Sequence, residues 1–403
     1  MTTTPSQGPM PLQGFTVLDL SQGVAGPYCA QLLAGQGARV IKVEPPQGDW
    51  GRHVGVARNG HSTISSTYNG GKQSLAIDAR HPDGKALILQ LAQQADIIVQ
   101  NFRPQVVQRL GLDYESLRER GLKPVYVSIS GYGPDGPFAD YPATDSVMQA
   151  DSGLMFSNRD AAGTPQRIGV LLADIAAGVY AAQACTAALL HKLRTAEGSH
   201  VQINLFNVCC ALQSTVFSEE VTGAQAARQA ISAPNGVFDA ADGKLTILAL
   251  NNEQFVRICR AFELAHWETD PRFASNELRL EHKAQLHAEL SRKVAQQSLA
   301  QLEALLGCHQ VLHARVRAGR DVVGHPQAQH LRTFQTIEQP DFGPLVWAAA
   351  PWACHADAVQ PAPRIGEHSE ALLRELGLDP LEIAALVARQ VVATDSDARG
   401  DTR

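Results

Sequence analysis

Short continuous apolar runs alternate with longer stretches of helical spacing along the first third of the chain. Continuous apolar runs bounded by turn residues are typical of buried parallel strands, whereas apolar positions three and four apart indicate helices. The runs that indicate strands are FTVLDL (15–20), ARVIKVE (38–44), DIIVQNF (96–102) and LKPVYVSISGYG (122–133). The stretches that indicate helices are PYCAQLLAGQG (27–37) and HPDGKALILQLAQQA (81–95). This order predicts an α/β domain with a Rossmann-like parallel sheet, helices on both faces and ligands at the carboxyl ends of the strands.

The longest apolar stretch, GVLLADIAAGVYAAQA (169–184), contains one carboxylate, Asp174. A membrane span is one interpretation of the run from 170 to 190, but Gln183, Thr186 and the many alanines favour a buried helix. A charged carboxylate out of water is costly unless it is paired, capped or used. Asp174 falls in the first turn of the predicted helix, where free N–H groups and the helix dipole stabilise an anion. Taken alone, this position favours helix capping over catalysis.

The pattern changes after about residue 230. Two strand-like runs surround ADG in GVFDAADGKLTILAL (236–250), which indicates a hairpin, and charged helical stretches follow. A length of 403 residues also favours two domains. The predicted boundaries are a large domain at 10–205 plus 341–390, linkers at 206–231 and 323–340, a smaller inserted α+β domain at 232–322 and a disordered tail at 391–403.

Composition excludes several classes of partner. Hydrophobic residues make up 44% and charged residues 18% of the chain, which is typical of a globular protein with a large core. The formal net charge of -6 is spread along the sequence without a basic stripe, so neither nucleic acid nor a membrane is expected as a partner. The start MTTTPSQGPMPLQG has no basic segment followed by an apolar one, so we expect a cytoplasmic protein.

Common cofactor motifs are missing from the sequence. The turn SQGVAGP (21–27) lacks the GxGxxG spacing of dinucleotide sites, and no GxxxxGK[ST] occurs, which leaves nicotinamide, flavin and nucleoside triphosphate sites without their main support. The seven cysteines have no CxxC spacing, so disulfides and structural zinc are not expected. His309 and His313 are four residues apart, which we interpret as a shared surface face rather than a metal pair.

Five stretches occur in an order that resembles the family III coenzyme A (CoA) transferases of the CaiB/BaiF superfamily, the group that contains formyl-CoA transferase. They are VLDLSQGVAGPYCAQLLAGQGARVIKVEPP (17–46), NGGKQSLAID (69–78), DIIVQNFRPQVVQRLGL (96–112), VSISGYGPDGP (127–137) and the helix that contains Asp174. The resemblance runs from about residue 12 to about residue 375. It implies an enzyme without a permanently bound cofactor, which uses a CoA thioester and a small carboxylic acid as substrates.

The resemblance makes Asp174 the catalytic nucleophile. Moving CoA between two acids requires a carboxylate to attack a thioester, which gives a mixed anhydride and then an aspartyl-CoA thioester. An apolar surrounding suits these intermediates because it limits their hydrolysis. The helix N–H groups that would favour capping could hold the anion until substrate arrives. The resemblance therefore reverses the interpretation of Asp174 as a cap alone.

The resemblance also implies a CoA site at the carboxyl ends of the strands. The residues expected to contact CoA are Val24, Ala25, Ile77, Asp78, Arg80, Asn101, Phe102, Arg103, Arg109 and Asp145. Arginines suit the phosphates of CoA, although a solvated surface charge is the alternative for each one taken alone. Lys42 and Lys72 could instead pair within the chain. Arg109 is the strongest candidate because it lies in the best-matched stretch.

Three departures separate this chain from formyl-CoA transferases. Pro45 stands where they carry an adenine-contacting arginine, Pro142 replaces a lysine near the thioester, and LALNNEQF (248–255) replaces a glycine-rich loop. Formate and oxalate are therefore not implied as substrates. Two alternative functions remain at this point: an acyl-CoA epimerase or racemase of the same superfamily, and a non-catalytic CoA-binding protein. An epimerase would need a general base beside Asp145, where the sequence has Thr144.

The resemblance further implies an interlocked homodimer. Two linkers join the predicted large domain to its insert, and family members use such linkers to form a ring through which the partner chain passes. Each active site is then completed by the other subunit. The apolar stretch FNVCCALQ (206–213) suits a buried linker helix, with packing inside one chain as the alternative.

Overall fold

The computed structural model describes residues 10–160, 162–222, 231–351 and 360–395 of the 403-residue chain. The chain divides into two compact units. Unit 1 comprises Met1–Phe217 with Arg332–Arg403, and unit 2 comprises Ser218–Leu331. The strands are β1 (Thr16–Asp19), β2 (Arg39–Glu44), β3 (Ala57–Arg58), β4 (His61–Ser62), β5 (Gln73–Ile77), β6 (Ile97–Gln100), β7 (Val125–Ser130), β8 (Ser199–Asn204), β9 (Asn235–Ala240), β10 (Gly243–Leu248), β11 (Leu312–Arg315), β12 (Phe334–Gln339), β13 (Gly343–Ala348) and β14 (Val392–Ala393). The α-helices are α1 (Ala25–Ala34), α2 (Thr63–Asn69), α3 (Pro82–Gln94), α4 (Pro104–Leu110), α5 (Tyr114–Glu119), α6 (Asp145–Asp151), α7 (Leu154–Ser157), α8 (Leu172–Thr195), α9 (Leu205–Leu212), α10 (Ser214–Val221), α11 (Asn252–Ala261), α12 (Ala265–Thr269), α13 (Asn276–Glu281), α14 (Lys283–Val294), α15 (Leu299–Cys308), α16 (Gly319–Val323), α17 (Pro326–His330), α18 (Ser369–Glu375) and α19 (Pro380–Ala388). Two short 3-10 helices are Trp50–His53 and Pro271–Phe273.

Unit 1 is built around a seven-stranded sheet in the order β14-β5-β2-β1-β6-β7-β8. All neighbours pair in parallel except β14, which is antiparallel to β5. The sheet is covered on both faces, with α1, α8 and α9 on one side and α3, α18 and α19 on the other. The predicted parallel sheet is confirmed. The continuous apolar runs form its inner strands because a strand covered by helices on both faces buries both sets of alternating side chains.

The end of the chain corrects one expectation. A disordered tail was predicted from residue 391, yet Val391 and Val392 are buried, and β14 pairs with β5 at Val392–Ile77 and Ala393–Ala76. Two apolar residues in a polar sequence are too short a signal for a strand on their own. The exposed edge of β5 supplies the hydrogen-bonding partner that makes this segment a strand. Residues 396–403 of the expected tail lie outside the described residues.

Helix α8 has one buried stripe that packs into the core of unit 1. The buried residues are Ala173, Ala177, Gly178, Ala181, Ala182, Cys185 and Leu189. A Cβ atom on Gly178 would lie 2.9 Å from the backbone O of Ala25, so glycine allows α8 to approach the start of α1. Lys192, near the other end of α8, donates to the backbone O of Asp96, just before β6, at 3.3 Å. Hence α8 begins at the carboxyl edge of the sheet and ends at its amino edge.

In the described part of the chain, α8 is also the one helix long and apolar enough to cross a membrane by length and composition. Its small residues pack against α1 and against the sheet within the unit 1 core. Alanine, glycine and cysteine at these positions permit close helix packing. We therefore interpret α8 as a core helix.

Unit 2 contains a three-stranded antiparallel sheet in the order β11-β10-β9, with the helices α11 to α15. The hairpin predicted around ADG is present, since β9 pairs with β10 from Ala240–Gly243 to Asn235–Leu248. The core of this unit includes Phe238, Leu245 and Trp267. Helix α9, in contrast, packs into the core of unit 1 through Leu205, Val208 and Cys209.

Candidate active site

The sheet of unit 1 has a topological switch point between β1 and β6. The chain leaves β1 through α1 to β2 on one side, and β6 is followed by β7 on the other. Ligands of open α/β sheets bind at the carboxyl edge beside such a point. There the side chain of Asn101, directly after β6, accepts from the backbone N of Gln22 at 2.9 Å and donates to the backbone O of Gln22 at 2.7 Å. Asn101 therefore joins the loop after β6 to the turn after β1.

Buried ion pairs support the turn SQGVAGP (21–27). Lys72 Nζ lies 2.7 Å from Asp19 Oδ2 and Lys42 Nζ lies 2.8 Å from Asp49 Oδ2, with all four side chains almost completely buried. Asp49 also accepts a hydrogen bond from a backbone N–H of the turn. Burial lowers the pKa of Lys72 to about 8, and the Asp19 charge opposes that shift. Both lysines are engaged within the chain, as the alternative interpretation of Lys42 and Lys72 anticipated.

Asp174 lies in the first turn of α8, at the carboxyl edge of the sheet. Its side chain is half-buried, and no residue in the described ranges donates a hydrogen bond to it. Burial, and in second place the negative charge of Asp145, raises the pKa of Asp174 from 3.8 to about 7. Folding therefore partly removes the Asp174 carboxylate from water without giving it a stabilising partner.

Asp145, the first residue of α6, supplies the cap that α8 needs. Its Oδ2 accepts from the backbone N of Ala173 at 2.8 Å and from that of Asp174 at 3.4 Å, while Gln149 Nε2 donates to its Oδ1 at 2.7 Å. Leu171, the N-cap residue, makes no side-chain capping bond. The expectation that Asp174 caps its own helix, and that helix N–H groups hold its anion, is therefore wrong. The reason is that a buried carboxylate from another helix already accepts those N–H groups.

The same contacts bear on the expected role of Asp145 in binding CoA. Its side chain is 3% exposed, and both carboxylate oxygens bond within the chain. Gln149 extends this network, since its Oε1 accepts from the backbone N of Ile168 at 2.9 Å. Asp145 and Gln149 together hold the segment that leads into α8, so both oxygens of the Asp145 carboxylate are already bonded within the chain.

Tyr68 and Cys209 also lie near Asp174, although the sequence analysis did not single them out. Burial, followed by smaller contributions from Tyr28 and Asp174, raises the pKa of Tyr68 to about 12. The ring of Tyr28 contacts the ring of Tyr68 edge-on, with centroids 5.2 Å apart. Burial raises the pKa of Cys209, and the Asp174 charge adds to this shift. Tyr68 directly precedes the stretch NGGK, and this position next to a family stretch was the one feature of the sequence that could have identified Tyr68 as a site residue.

The expected CoA contacts after β1 and β6 come together at the switch point. They are Val24, Ala25, Asn101, Phe102 and Arg103. Val24 and Ala25 are buried at the start of α1, whereas the backbone N of Phe102 donates to Gln100 Oε1 at 2.8 Å. Phe102 and Gln100 also line a cavity of about 180 Å³ between the ends of β6, β7 and β8.

The expected contacts after β5 form a second group at the same edge. Ile77 ends β5 and is buried, and Asp78 and Arg80 follow it. Arg80 Nε lies 2.9 Å from Asp78 Oδ1, and this hydrogen bond lowers the pKa of Asp78. Since β2 lies between β5 and β1, about 10 Å separates this group from the switch point.

Two exposed arginines on α4 provide positive charge at this edge. Arg103 immediately precedes α4 and Arg109 lies in its last turn. Neither forms an ion pair with a carboxylate of the described residues, unlike Arg80. Within the same residues no group of three histidine, cysteine or acidic side chains is placed to hold a metal ion. Arg103 and Arg109 are therefore two cations available to an anionic ligand such as a phosphate.

Comparisons with known proteins show which sequences and structures the chain resembles. The family model for CoA-transferase family III matches residues 12–369. The chain is 32% identical over 396 residues to succinate–glutarate CoA-transferase of Agrobacterium fabrum, covering 93% of this chain and 98% of that protein. It is 34% identical over 305 residues to acetyl-CoA:oxalate CoA-transferase of Acetobacter aceti, covering 74% of this chain and 78% of that protein. Among solved structures, a CAIB/BAIF family protein from Brucella suis matches with a TM-score of 0.82 and 29% identity, covering 92% of this chain and all of that chain (100%).

Proposed function

Because the chain belongs to CoA-transferase family III, we propose that it transfers CoA from an acyl-CoA thioester to a free carboxylic acid with Asp174 as the nucleophile. One observation carries the assignment to Asp174. It is a half-buried carboxylate at the carboxyl edge that accepts no hydrogen bond from a described residue, while Asp145 caps its helix. A residue that only stabilised the helix would accept those N–H groups itself.

The proposed reaction proceeds through two covalent forms of Asp174. A carboxylate oxygen of Asp174 attacks the thioester carbon, the C–S bond breaks, and a mixed anhydride and CoA thiolate result. The thiolate then attacks the Asp174 carbonyl carbon, which releases the donor acid as a carboxylate and leaves an aspartyl-CoA thioester. The acceptor carboxylate attacks that thioester, and the freed thiolate attacks the acceptor carbonyl of the new anhydride. The new acyl-CoA leaves, and Asp174 is a carboxylate again.

The surroundings of Asp174 suit this role in two ways. With a pKa of about 7, roughly half of the Asp174 side chains are ionised at neutral pH, and the ionised form is a stronger nucleophile than an ordinary carboxylate because it is poorly solvated. The half-buried position also limits the access of water to the anhydride and the thioester. Tyr68 stays protonated throughout the physiological range and can donate a hydrogen bond to an oxygen of the substrate.

CoA would lie along the carboxyl edge of the sheet from α1 toward β5 and α4. In this proposal its pantetheine arm passes Val24 and Ala25, and its phosphates meet Arg109 and Arg103. Support comes from the reciprocal hydrogen bonds of Asn101, which fix the crevice between the two loops. Ile77, Asp78 and Arg80 would border the nucleotide.

The acids to test first are those in the names of the relatives. Succinate, glutarate and oxalate appear in those names. A screen of acyl-CoA donors against dicarboxylic and hydroxy acids, read by mass spectrometry of the acyl-CoA products, would identify the substrate pair.

Epimerase chemistry receives less support from the site. Thr144 accepts from the backbone N of Val147 as the N-cap of α6, and Asp145 caps α8. An epimerase would need a general base at this pair of residues, but Thr144 and Asp145 both cap helices. Incubation with acyl-CoAs in deuterated water separates the two activities, because only an epimerase exchanges the α-proton without an acceptor acid.

We also propose an interlocked homodimer. Several large apolar side chains of α8 are exposed on the single chain, namely Val179, Tyr180, Leu190 and Leu193, each at 41–64% exposure. An apolar helix face of this size is typical of a surface covered by another subunit. A second copy of the chain, joined through the segments between the two units, would cover it.

Chemical trapping tests the nucleophile directly. The protein is incubated with a donor acyl-CoA and then with hydroxylamine, which converts an activated aspartyl group to a hydroxamate that peptide mass spectrometry locates. Modification is expected at Asp174 alone, and Asp174→Ala should lose both the modification and CoA transfer. Asp135→Asn is a matched control, since it removes an exposed carboxylate in the loop after β7. Retention of most of the transfer rate in Asp174→Ala would show that another group carries the acyl transfer.

A further inference from the structure

A cavity of about 560 Å³ extends along helix α1 within unit 1. One wall is α1 from Tyr28 to Gly35, and the other includes the hairpin β12–β13. A volume of this size is typical of sites for small molecules. None of the residues expected to contact CoA lines the cavity, so it is separate from the expected path of CoA.

One end of the cavity lies beside Asp174. Ile175, the next residue of α8, lines it. Tyr68 lines it as well, and the Asp174 charge is the third cause, after burial and Tyr28, that raises the pKa of Tyr68. Gly178 follows Asp174 by one turn on the same face of α8, and a Cβ atom there would lie 3.0 Å from Tyr28 Cδ1. The cavity therefore begins next to the carboxylate that the proposed reaction acylates.

The other end of the cavity lies at the amino edge of the sheet, because α1 begins after β1 and ends before β2. Ala38 and Met10 line this end. The stretch from Tyr28 to Gly35 extends about 10 Å along the helix axis, at a rise of about 1.5 Å per residue. The cavity therefore leads away from Asp174 and has room for a linear chain.

In the part of the chain that the structure describes, no side chain that lines the cavity is charged. The polar lining groups are glutamine amides and hydroxyls, and the apolar and aromatic ones include Leu32, Tyr68, Ile175 and Trp347. A carboxylate brought into these surroundings would lose its water without meeting a cation, which is unfavourable. An alkyl chain gains there instead, since each buried methylene group is removed from water.

The wall opposite α1 is held in place by contacts with the loop after α2. The indole of Trp347 packs on Gly70, where a Cβ atom would lie 2.3 Å from Trp347 Cη2. The backbone N of Gly71 donates to the backbone O of Pro361 at 3.1 Å. Both walls are thus formed before a ligand enters, and a bound chain would not have to order them.

We propose that this cavity takes the organic group of the acid that is joined to CoA, and that it selects uncharged linear acyl chains over dicarboxylic ones. The assignment rests on the proposed CoA-transferase function. In that reaction the donor acid and the acceptor acid each form an anhydride with Asp174, so both place their organic groups at the same end of the cavity. A succinyl or glutaryl group would bring a second carboxylate into a space without a cation.

The first half of the reaction tests this selectivity without an acceptor acid. The protein is mixed with a subsaturating acyl-CoA, and the aspartyl adduct is trapped with hydroxylamine and quantified over time. Butanoyl-, hexanoyl- and octanoyl-CoA form a series of increasing chain length. Two pairs of equal carbon number, butanoyl- with succinyl-CoA and pentanoyl- with glutaryl-CoA, differ in the second carboxylate.

Gly35→Leu narrows the end of the cavity that is farther from Asp174. Gly35 has a φ of -61°, which leucine adopts readily, and a Cβ atom there would meet only the backbone O atoms of Gln31 and Leu32, at 3.5 Å. Gly307→Leu is the matched control. Gly307 is an exposed glycine near the end of α15 in unit 2, and a Cβ atom there would meet nothing within 4 Å.

In the wild type, the rate should rise about threefold for each added methylene group, from butanoyl- to octanoyl-CoA. Butanoyl- and pentanoyl-CoA should each react about tenfold or more faster than the dicarboxylic ester of equal carbon number. Gly35→Leu should lower the ratio of the octanoyl rate to the butanoyl rate about tenfold or more, and Gly307→Leu should keep the ratio of the wild type. A ratio of two rates is insensitive to a general loss of activity in either variant.

An unchanged ratio in Gly35→Leu would overturn the inference, and so would faster reaction of the succinyl and glutaryl esters. A Gly35→Leu protein that becomes monomeric in light scattering but keeps the ratio of the wild type would show that a second subunit fills the cavity. If Gly35→Leu does not fold, the equal-length pairs in the wild type decide. These outcomes overturn this inference alone, whereas a wild type that forms no adduct with any of the esters would overturn the proposed function with it.

Discussion

Replacing Asp174 by asparagine should stabilise the folded protein, and the gain should grow with pH. The change keeps the shape of the side chain and removes its charge. In the folded chain burial and Asp145 raise the pKa of Asp174 from 3.8 to about 7. Each pKa unit corresponds to about 1.36 kcal/mol, so ionised Asp174 destabilises the folded state by about 4 kcal/mol relative to the unfolded chain.

The sign follows from the direction of the shift. A group whose pKa is raised on folding costs nothing while it is protonated in both states, below about pH 4. The cost increases as the unfolded chain ionises first, and it becomes constant above a pH of about 7, where folded Asp174 is ionised too. The advantage of Asp174→Asn should therefore rise by about 2.6 kcal/mol between pH 5 and pH 8.

Thermal unfolding at one protein concentration across this pH range measures the effect. For a chain of 403 residues, an increase in the advantage of about 2.6 kcal/mol corresponds to a change in Tm of roughly 3 °C. Asp135→Asn removes the same charge from an exposed loop and should run parallel to the wild type. Parallel curves for Asp174→Asn and the wild type from pH 5 to pH 8 would refute the reasoning, because they would mean that folding does not perturb the Asp174 carboxyl. A stabilised Asp174→Asn protein without transfer activity would show that Asp174 is retained at the expense of stability.

Four other outcomes follow from the same contacts. The rate of aspartyl adduct formation should fall about tenfold per pH unit below a pH of about 7, since only ionised Asp174 attacks; a rate independent of pH between 5 and 8 contradicts this. Asp145→Ala should lower the free energy of unfolding by about 1–2 kcal/mol or more because α8 loses its cap, which denaturant unfolding measures; an unchanged midpoint contradicts the capping role. Arg109→Ala should raise KM for the CoA ester about tenfold or more with little change in kcat, because a charge-assisted contact to the nucleotide is made equally in the ground and transition states. Arg120 is also an exposed arginine, and Arg120→Ala should leave KM unchanged. Two differently tagged, separately folded dimers mixed at nanomolar concentration should not exchange subunits under native conditions, and rapid formation of mixed dimers or a stable folded monomer contradicts the interlocked arrangement.

The pattern of apolar residues was sufficient to predict the central sheet. The apolar runs at β1, β2, β6 and β7 are continuous because each strand lies between two layers of helices. Burial on both faces can therefore be predicted from the local sequence. Five short stretches in order were likewise enough for the family, which the comparison along residues 12–369 confirms. Asp174 was conspicuous for a similar reason, since a lone carboxylate in an apolar helix stands out in the sequence itself.

What Asp174 does in its helix was decided only by the tertiary structure. The sequence places it in the first turn, where capping is the expected role, but the cap comes from Asp145, which is distant along the chain and adjacent in space. The same holds for Lys72, whose partner Asp19 lies 53 residues away along the chain, and for β14, which exists because β5 has a free edge. Local sequence determines which residues are buried and in which element, because apolar periodicity is a local property. Which buried polar groups find each other depends on contacts between distant segments, and these form only when the sheet is assembled.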